Sequence, residues 1–315
     1  MDRGQLVLVT GLALAVVLVA LVLLANTAIY TENLATRDNG VGEHDALGYR
    51  ASVIDGVGGI VERENAAEYD DRSELTANVS DGVATFDDLL RGSAARGAAG
   101  ARADTDAATY VNGTLVRHTD DTRAFESNQS TSDWTVVGDT EGVRAFVATV
   151  DRASLATTEA DSLSGAFTVV VDNGTERWRA YLYRNASTDH VAVAVRPPGA
   201  AGASEVCSVD AVTATVDFTR GTLAGDPCRG LDWAAGTSGE FDLRFDNGTN
   251  AVGTYDLTAE SRADELVLAT VNPDPVGGSP YHVPAVYAVE IPIRYQTTEL
   301  VYGETVRVAP GEHDD

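Results

Sequence analysis

The apolar residues of this chain follow two different patterns, and the first is a continuous run. From Leu6 to Ala25 nearly every residue is apolar, and no charged residue occurs between Arg3 and Glu32. Twenty such residues in a helix, at about 1.5 Å each, span about 30 Å, which is the thickness of a bilayer core. We therefore predict a membrane-spanning helix over residues 5–31.

Helical spacing returns after this run. Residues 44–65 carry an apolar stripe at helical spacing, and residues 80–90 form a second helical candidate. Gly56, Gly58 and Gly59 in the first of these stretches disfavour a helix. Residues 91–106 are small and polar, which predicts a linker. We expect a helical stalk with a linker over residues 32–106.

The second apolar pattern is the alternation that is typical of strands. From residue 107 onward, short runs rich in β-branched and aromatic residues are separated by turn residues. This pattern predicts a mainly antiparallel, sandwich-like β domain over residues 107–315, and an α+β fold for the whole chain. The predicted strands cover residues 110–116, 134–137, 143–150, 167–171, 177–183, 190–195, 212–218, 241–245, 254–258, 266–271, 287–295 and 300–308.

Particular turns can also be predicted. Asn112, Asn173 and Asn247 are each followed by glycine, and Asn-Gly favours a tight hairpin turn between paired strands. Pro292 interrupts the last strand pair, and proline lacks the N–H that an inner strand donates. We therefore expect an edge strand or a bulge at Pro292.

The composition adds a strong acidic imbalance. The chain has 22 Lys+Arg against 48 Asp+Glu, a net charge of -26, and none of the basic residues is lysine. Such a surface repels nucleic acid, so no nucleic-acid partner is expected. The composition resembles that of haloarchaeal proteins, whose surface carboxylates keep them hydrated in molar salt. An acidic exported protein from a mesophile with a high-GC genome is the alternative.

Charge and sequons also bear on orientation. Arg3 is the positive charge ahead of the apolar run and Asp2 offsets it, so a weak bias places the N-terminus in the cytoplasm. Asn-x-Ser/Thr sequons downstream favour the same orientation, because N-glycans are added outside the cytoplasm. We expect a single-pass protein of the cell membrane with an extracellular C-terminal domain. The six sequon asparagines are Asn78, Asn112, Asn128, Asn173, Asn185 and Asn247. The Asn-Gly-Thr sequons have turn formation as an alternative role.

The residues ahead of the apolar run are more specific. Arg3-Gly4-Gln5 followed directly by that run resembles the class III signal peptides of archaeal type IV pilin-like surface proteins. The resemblance implies cleavage between Gly4 and Gln5, so that residues 1–4 are a leader and the helix stays on the product. Val9 stands where bacterial type IV pilins carry a glutamate, which favours the archaeal form. An ordinary signal anchor is the alternative.

This resemblance implies a function. The chain would be a minor pilin-like or pseudopilin-like structural subunit that is assembled through its apolar helix. Its partners would be membrane lipid, a prepilin peptidase and other pilin-like subunits. A static membrane-anchored ectodomain that binds surface glycan or protein is the alternative, and an anchored hydrolase is a third possibility.

The remaining candidate chemistry is limited. Cys207 and Cys228 are the two cysteines, and an exported pair predicts one disulfide, with two buried thiols as the alternative. The five histidines form no HExxH or similar pair, and no nucleophile motif occurs. We expect no catalytic site, no metal and no cofactor.

Overall fold

The computed structural model describes residues 41–97 and 99–313. Two helices come first, α1 (Val41–Ala66) and α2 (Arg72–Arg96). Asp71 caps α2, because its carboxylate accepts hydrogen bonds from the backbone N–H groups of Ser73 and Glu74. The helices of this described part are too short or too polar to span a bilayer. The spanning helix predicted over residues 5–31 lies outside the described residues.

Strands follow the helices and make up most of the described chain. They are β1 (Gly100–Ala103), β2 (Thr109–His118), β3 (Trp134–Thr140), β4 (Val143–Asp151), β5 (Thr157–Thr158), β6 (Phe167–Asp172), β7 (Arg177–Asn185), β8 (Val191–Arg196), β9 (Ser204–Val209), β10 (Thr213–Asp217), β11 (Thr222–Leu223), β12 (Asp226–Pro227), β13 (Phe241–Asp246), β14 (Gly253–Glu260), β15 (Tyr281–Gln296) and β16 (Val301–Val308).

These strands form two sheets. In the large sheet the order is β15-β2-β14-β4-β10-β11-β12. The long strand β15 pairs with β2 along its first part and with β1 along its last four residues, and β16 also pairs with β15. The small sheet has the order β3-β13-β6-β7-β8-β9, with β5 paired to β7. The ladders are antiparallel except for the two-residue pairing of β5 with β7. The mainly antiparallel fold is confirmed.

One core lies between the two sheets. It contains apolar residues from β4, β10 and β14 of the large sheet and from β3, β6, β7, β8 and β13 of the small sheet. Aromatic rings fill its centre, where the Phe245 ring centroid lies 5.1 Å from that of Phe167 and 5.1 Å from that of Tyr255. Edge-to-face pairs of this kind add stability beyond the area that they bury. The sandwich-like packing is thereby also confirmed.

The two helices pack on the other end of the large sheet. A second core joins apolar residues of α1 and α2 to those of β1, β15 and β16. The buried side-chain amide of Asn65, at the end of α1, exchanges two hydrogen bonds of 2.9 Å with the backbone of Val286. The buried carboxylate of Asp87 accepts a hydrogen bond of 2.7 Å from the Ala103 N–H. Helices and sheet are therefore one packed unit.

The structure differs from the linker expected at residues 91–106. Residues 91–96 are the last turns of α2, and residues 100–103 are β1, which pairs with β15. Ala99, Ala101 and Ala103 are buried in the core beneath the helices. These three alanines are small because they pack beneath the helices, whereas the small residues at 92, 93 and 95 are exposed on the last turns of α2.

The glycines of α1 show the same close packing. A Cβ atom added to Gly56 would lie 2.1 Å from the Phe86 ring of α2, whereas one added to Gly59 would meet nothing within 4 Å. Alanine at position 59 is expected to stabilise the fold by about 0.5–1 kcal/mol, because glycine disfavours a helix. Alanine at position 56 is expected to destabilise it by about 1–2 kcal/mol, because Phe86 must move. Denaturant unfolding of the two variants measures both effects, and equal stabilisation would contradict the packing.

Two of the three predicted Asn-Gly turns are wrong. The turn at Asn173 does join β6 to β7, through a four-residue loop in which Gly174 has φ +83°. Asn112 lies inside β2, where a Cβ atom on Gly113 would approach the Tyr287 nitrogen to 2.9 Å. Asn247 has φ +57°, but it directs the chain from β13 of one sheet to β14 of the other.

Two further predictions need correction. Residues 266–271 do not form a strand but a single bridge, between Val267 and Gly138, next to the irregular backbone at Asp139, which has φ +58°. Pro292 is not at an edge, since β15 pairs with β16 on one side and with β1 and β2 on the other. The Pro292 carbonyl accepts a hydrogen bond from the N–H of Asp104, which lies just beyond the end of β1. The N–H that proline lacks therefore falls at a position where β1 has ended, so no ladder hydrogen bond with β1 is lost there.

Candidate functional site

The predicted processing site and the predicted disulfide lie in different parts of the chain. Gly4 and Gln5 are outside the described residues. Cys207 and Cys228 form the predicted disulfide, with a Cα–Cα distance of 5.5 Å in the usual range. Cys207 belongs to β9 of the small sheet, and Cys228 directly follows β12 of the large sheet. The disulfide therefore joins the two sheets at their outer strands.

The structure separates the six sequon asparagines by their surroundings. The Nδ2 atom of Asn185, which is buried, donates to the Glu205 carboxylate at 3.0 Å, and that of Asn247 donates to the Ala166 carbonyl at 2.9 Å. Asn128 and Asn173 are half-buried, and their Nδ2 atoms also donate within the protein. Asn78 is half-buried on α2, and Asn112 is exposed on β2.

Glycosylation is therefore expected to be selective among the sequons. A glycan is attached through Nδ2 and needs room at the surface. We expect Asn112 to be modified in preference to Asn185 and Asn247, whose Nδ2 atoms are held inside the fold. Mass spectrometry of glycopeptides from the native protein tests this, with Asn112→Gln and Asn185→Gln as paired variants in gel mobility. A glycan on Asn185 with Asn112 unmodified would contradict the expectation.

The most elaborate polar arrangement surrounds Arg144 of β4. Its guanidinium is buried and donates to three backbone carbonyls: to Tyr287 at 2.6 Å, to Val286 at 2.8 Å and to Pro310 at 2.6 Å. It also lies over the Tyr287 ring, 5.5 Å from the centroid. Burial lowers the pKa of Arg144 to about 10, so that it stays charged at neutral pH. Arg144 thus joins β4 and β15 to residues 309–313, which follow β16 and which we name the C-terminal segment.

The C-terminal segment forms one wall of a cleft of about 500 Å³ beside this arginine. The Tyr287 hydroxyl donates to Glu312 at 3.0 Å, and Glu312 also pairs with Arg307. The ring nitrogens of His313 lie 2.9 Å from the Asp232 carboxylate and 3.0 Å from the Thr219 carbonyl. Burial raises the pKa of Tyr287, so its hydroxyl keeps its proton. These groups hold the C-terminal segment in place.

A second buried polar group lies in the core between the sheets. The His118 ring is buried and stacks on Tyr255 with a centroid distance of 5.3 Å. Burial lowers the pKa of His118, which therefore stays neutral near pH 7. His118 packs against rings of the core, so its role is structural. Across the described residues, no three His, Cys, Asp or Glu side chains come together as metal ligands.

Comparisons with known proteins place the chain in a family. A model of a family of unknown function, DUF7261, matches residues 1–177. The match covers more than half of the chain and runs from the N-terminal apolar run through α1, α2 and the first six strands to the start of β7. No curated protein and no solved structure matches the chain. The chain belongs to the family of unknown function DUF7261.

Proposed function

We propose that the chain is a minor pilin-like or pseudopilin-like structural subunit of the cell surface. In this proposal the apolar helix holds the subunit in the membrane, removal of residues 1–4 releases it for assembly, and the β domain is displayed outside. The motif that supports the proposal is Arg3-Gly4-Gln5, which directly precedes the apolar run Leu6–Ala25. A leader removed there leaves the helix on the product, as assembly through the helix requires.

The observation that carries the proposal is the position of α1, the first described element after the apolar run. α1 begins at Val41, with 15 residues between it and Ala25, and packs directly on β15 and β16. The hydrogen bonds between Asn65 and Val286 lock its far end to the sheet. The described domain therefore begins with a helix that is part of its own core. A subunit whose N-terminal helix moves from the membrane into an assembly needs a displayed domain that stays folded throughout, and this packing supports that requirement.

Assembly can be tested by fractionating sheared surface filaments. We expect the wild-type chain in the filament pellet, and Gly4→Val in the membrane fraction with its leader retained. Gly11→Ala, a change inside the apolar run, is the matched control and should behave as wild type. A wild-type chain that is processed but stays in the membrane fraction would contradict assembly and favour the static ectodomain that binds glycan or protein.

A further inference from the structure

We name the end of the folded domain at which α1 begins the anchor-proximal end. The end of β15 lies there too, because the ring centroid of Tyr295 is 5.7 Å from that of Tyr49, near the start of α1. The end of α2 also lies here, because Gly100, just after it, pairs with Gln296. The anchor-proximal end consists of residues 44–54, 86–97, 99–103 and 293–304.

Exposed apolar side chains are concentrated at the anchor-proximal end. Among the described residues six large apolar side chains are exposed, and three of them lie here: Leu47, 59% exposed, Leu89, 68%, and Val301, 61%. Leu47 lies near the start of α1, Leu89 near the end of α2, and Val301 begins β16. Single exposed apolar residues are common on protein surfaces, so it is their occurrence together at the anchor-proximal end that bears on binding. The other three are Val212, Val267 and Val276.

The charge of this end differs from that of the rest of the chain. The anchor-proximal end carries five arginines and five carboxylates, whereas the whole chain has a net charge of -26. The arginines are Arg50, Arg91, Arg96, Arg102 and Arg294, and the acidic residues are Asp45, Asp87, Asp88, Glu299 and Glu304. Asp55 and Asp104 lie directly beyond these bounds, and Asp104 pairs with Arg102 at 3.0 Å. An end that is less acidic than the rest of the surface is repelled less by anionic lipid headgroups.

The length of chain between the apolar run and α1 limits how far the anchor-proximal end can lie from the membrane that holds the anchor. Only 15 residues separate Ala25, at the end of the apolar run, from Val41, at the start of α1. Fully extended, they reach at most about 50 Å. A tether of that length raises the local concentration of lipid surface to the millimolar range or above. Three partly exposed side chains bind a membrane weakly by themselves, and the tether makes such weak binding sufficient.

We propose that the anchor-proximal end docks on the lipid surface of the membrane that holds the anchor, with Leu47, Leu89 and Val301 entering the headgroup region. This inference rests on the membrane anchor of the proposed function. Docking would set the orientation of the subunit before assembly, with α1 leading out of the bilayer and the opposite end of β15 facing away from it. Release from the membrane would then uncover the same apolar side chains.

The test uses the full chain in phosphatidylcholine vesicles that contain a small fraction of lipid with a nitroxide on its headgroup. Single cysteines at Leu89→Cys and Val301→Cys carry a fluorophore, since the native cysteines are joined in a disulfide. Val276→Cys is the matched control. Val276 is 96% exposed and lies just before β15. Val301 follows the other end of this 16-residue strand, so Val276 and Val301 are about 50 Å apart.

We expect the nitroxide lipid to quench the probes at positions 89 and 301 several-fold more than the probe at 276. Co-flotation of the labelled chain with the vesicles is recorded in parallel. A chain that floats with the vesicles but shows equal, weak quenching at the three positions would overturn the docking and leave the anchor intact. A chain that does not float would overturn the anchor, and the docking with it.

Discussion

Replacing Arg144 with methionine is expected to lower the free energy of unfolding by about 4 kcal/mol. Methionine fills a similar volume, but it leaves the carbonyls of Tyr287 and Pro310 without the donors that Arg144 supplies. It also removes one donor of the Val286 carbonyl, which still accepts from Asn65. A buried acceptor that loses its partner costs about 1–3 kcal/mol. Denaturant unfolding of the detergent-solubilised chain, followed by circular dichroism, measures the change.

Two further variants make the Arg144 prediction specific. Arg144→Lys should recover only part of the loss, because a single ammonium group cannot reach three carbonyls in the fork geometry of a guanidinium. Arg229→Met is the control: Arg229 is exposed, and no hydrogen bond of its side chain is recorded within the described residues. It should change the free energy by less than about 0.5 kcal/mol. Equal losses at positions 144 and 229 would contradict the role given to Arg144.

Loss of the disulfide is expected to cost about 3 kcal/mol. Cys207 and Cys228 are separated by 21 positions, and closing a loop of that size lowers the chain entropy of the unfolded state by about this amount. The disulfide also joins β9 to the end of β12, so its loss frees the outer strands of both sheets. The double variant Cys207→Ser/Cys228→Ser avoids a lone thiol, and its denaturant midpoint measures the loss.

A reducing agent supplies the control for this second prediction. It should destabilise the wild-type chain by as much as the double substitution does, and it should leave the double variant unchanged. A wild-type chain whose midpoint does not move on reduction, with both thiols shown to be free, would contradict a stabilising disulfide.

The sequence predicted the elements better than their connections. Strands with alternating apolar residues, such as those at 143–150 and 167–171, appear where they were expected because that pattern depends on neighbouring residues alone. β9 was not predicted, because it is an outer strand with little apolar alternation. The turn predicted at Asn112 is wrong because Gly113 serves close contact with Tyr287, which is distant in the chain.

The polar arrangement around Arg144 was beyond sequence reasoning for the same reason. The acceptors of Arg144 lie 142 to 166 positions further along the chain, and they are backbone carbonyls, which no side-chain pattern marks. Residues 91–106 resemble a linker in composition, and only the structure shows that Ala99, Ala101 and Ala103 pack beneath the helices. The disulfide was predictable because the chain has two cysteines and was expected to be exported.

The proposed role unites the two parts of the chain. In this proposal the apolar run and its leader would supply membrane storage and processing, and α1, packed on the large sheet, would begin the displayed domain. The family model covers the apolar run, both helices and the first six strands. The anchor-proximal end, which is less acidic than the chain as a whole, is the part proposed to approach lipid.

The most direct test of this account is the N-terminal sequence of the protein purified from cell membranes. We predict a mature chain that begins at Gln5, with residues 1–4 removed and the apolar run retained. A membrane-derived chain that begins at Met1 or Asp2 would contradict processing, and with it the assembly role proposed for this protein.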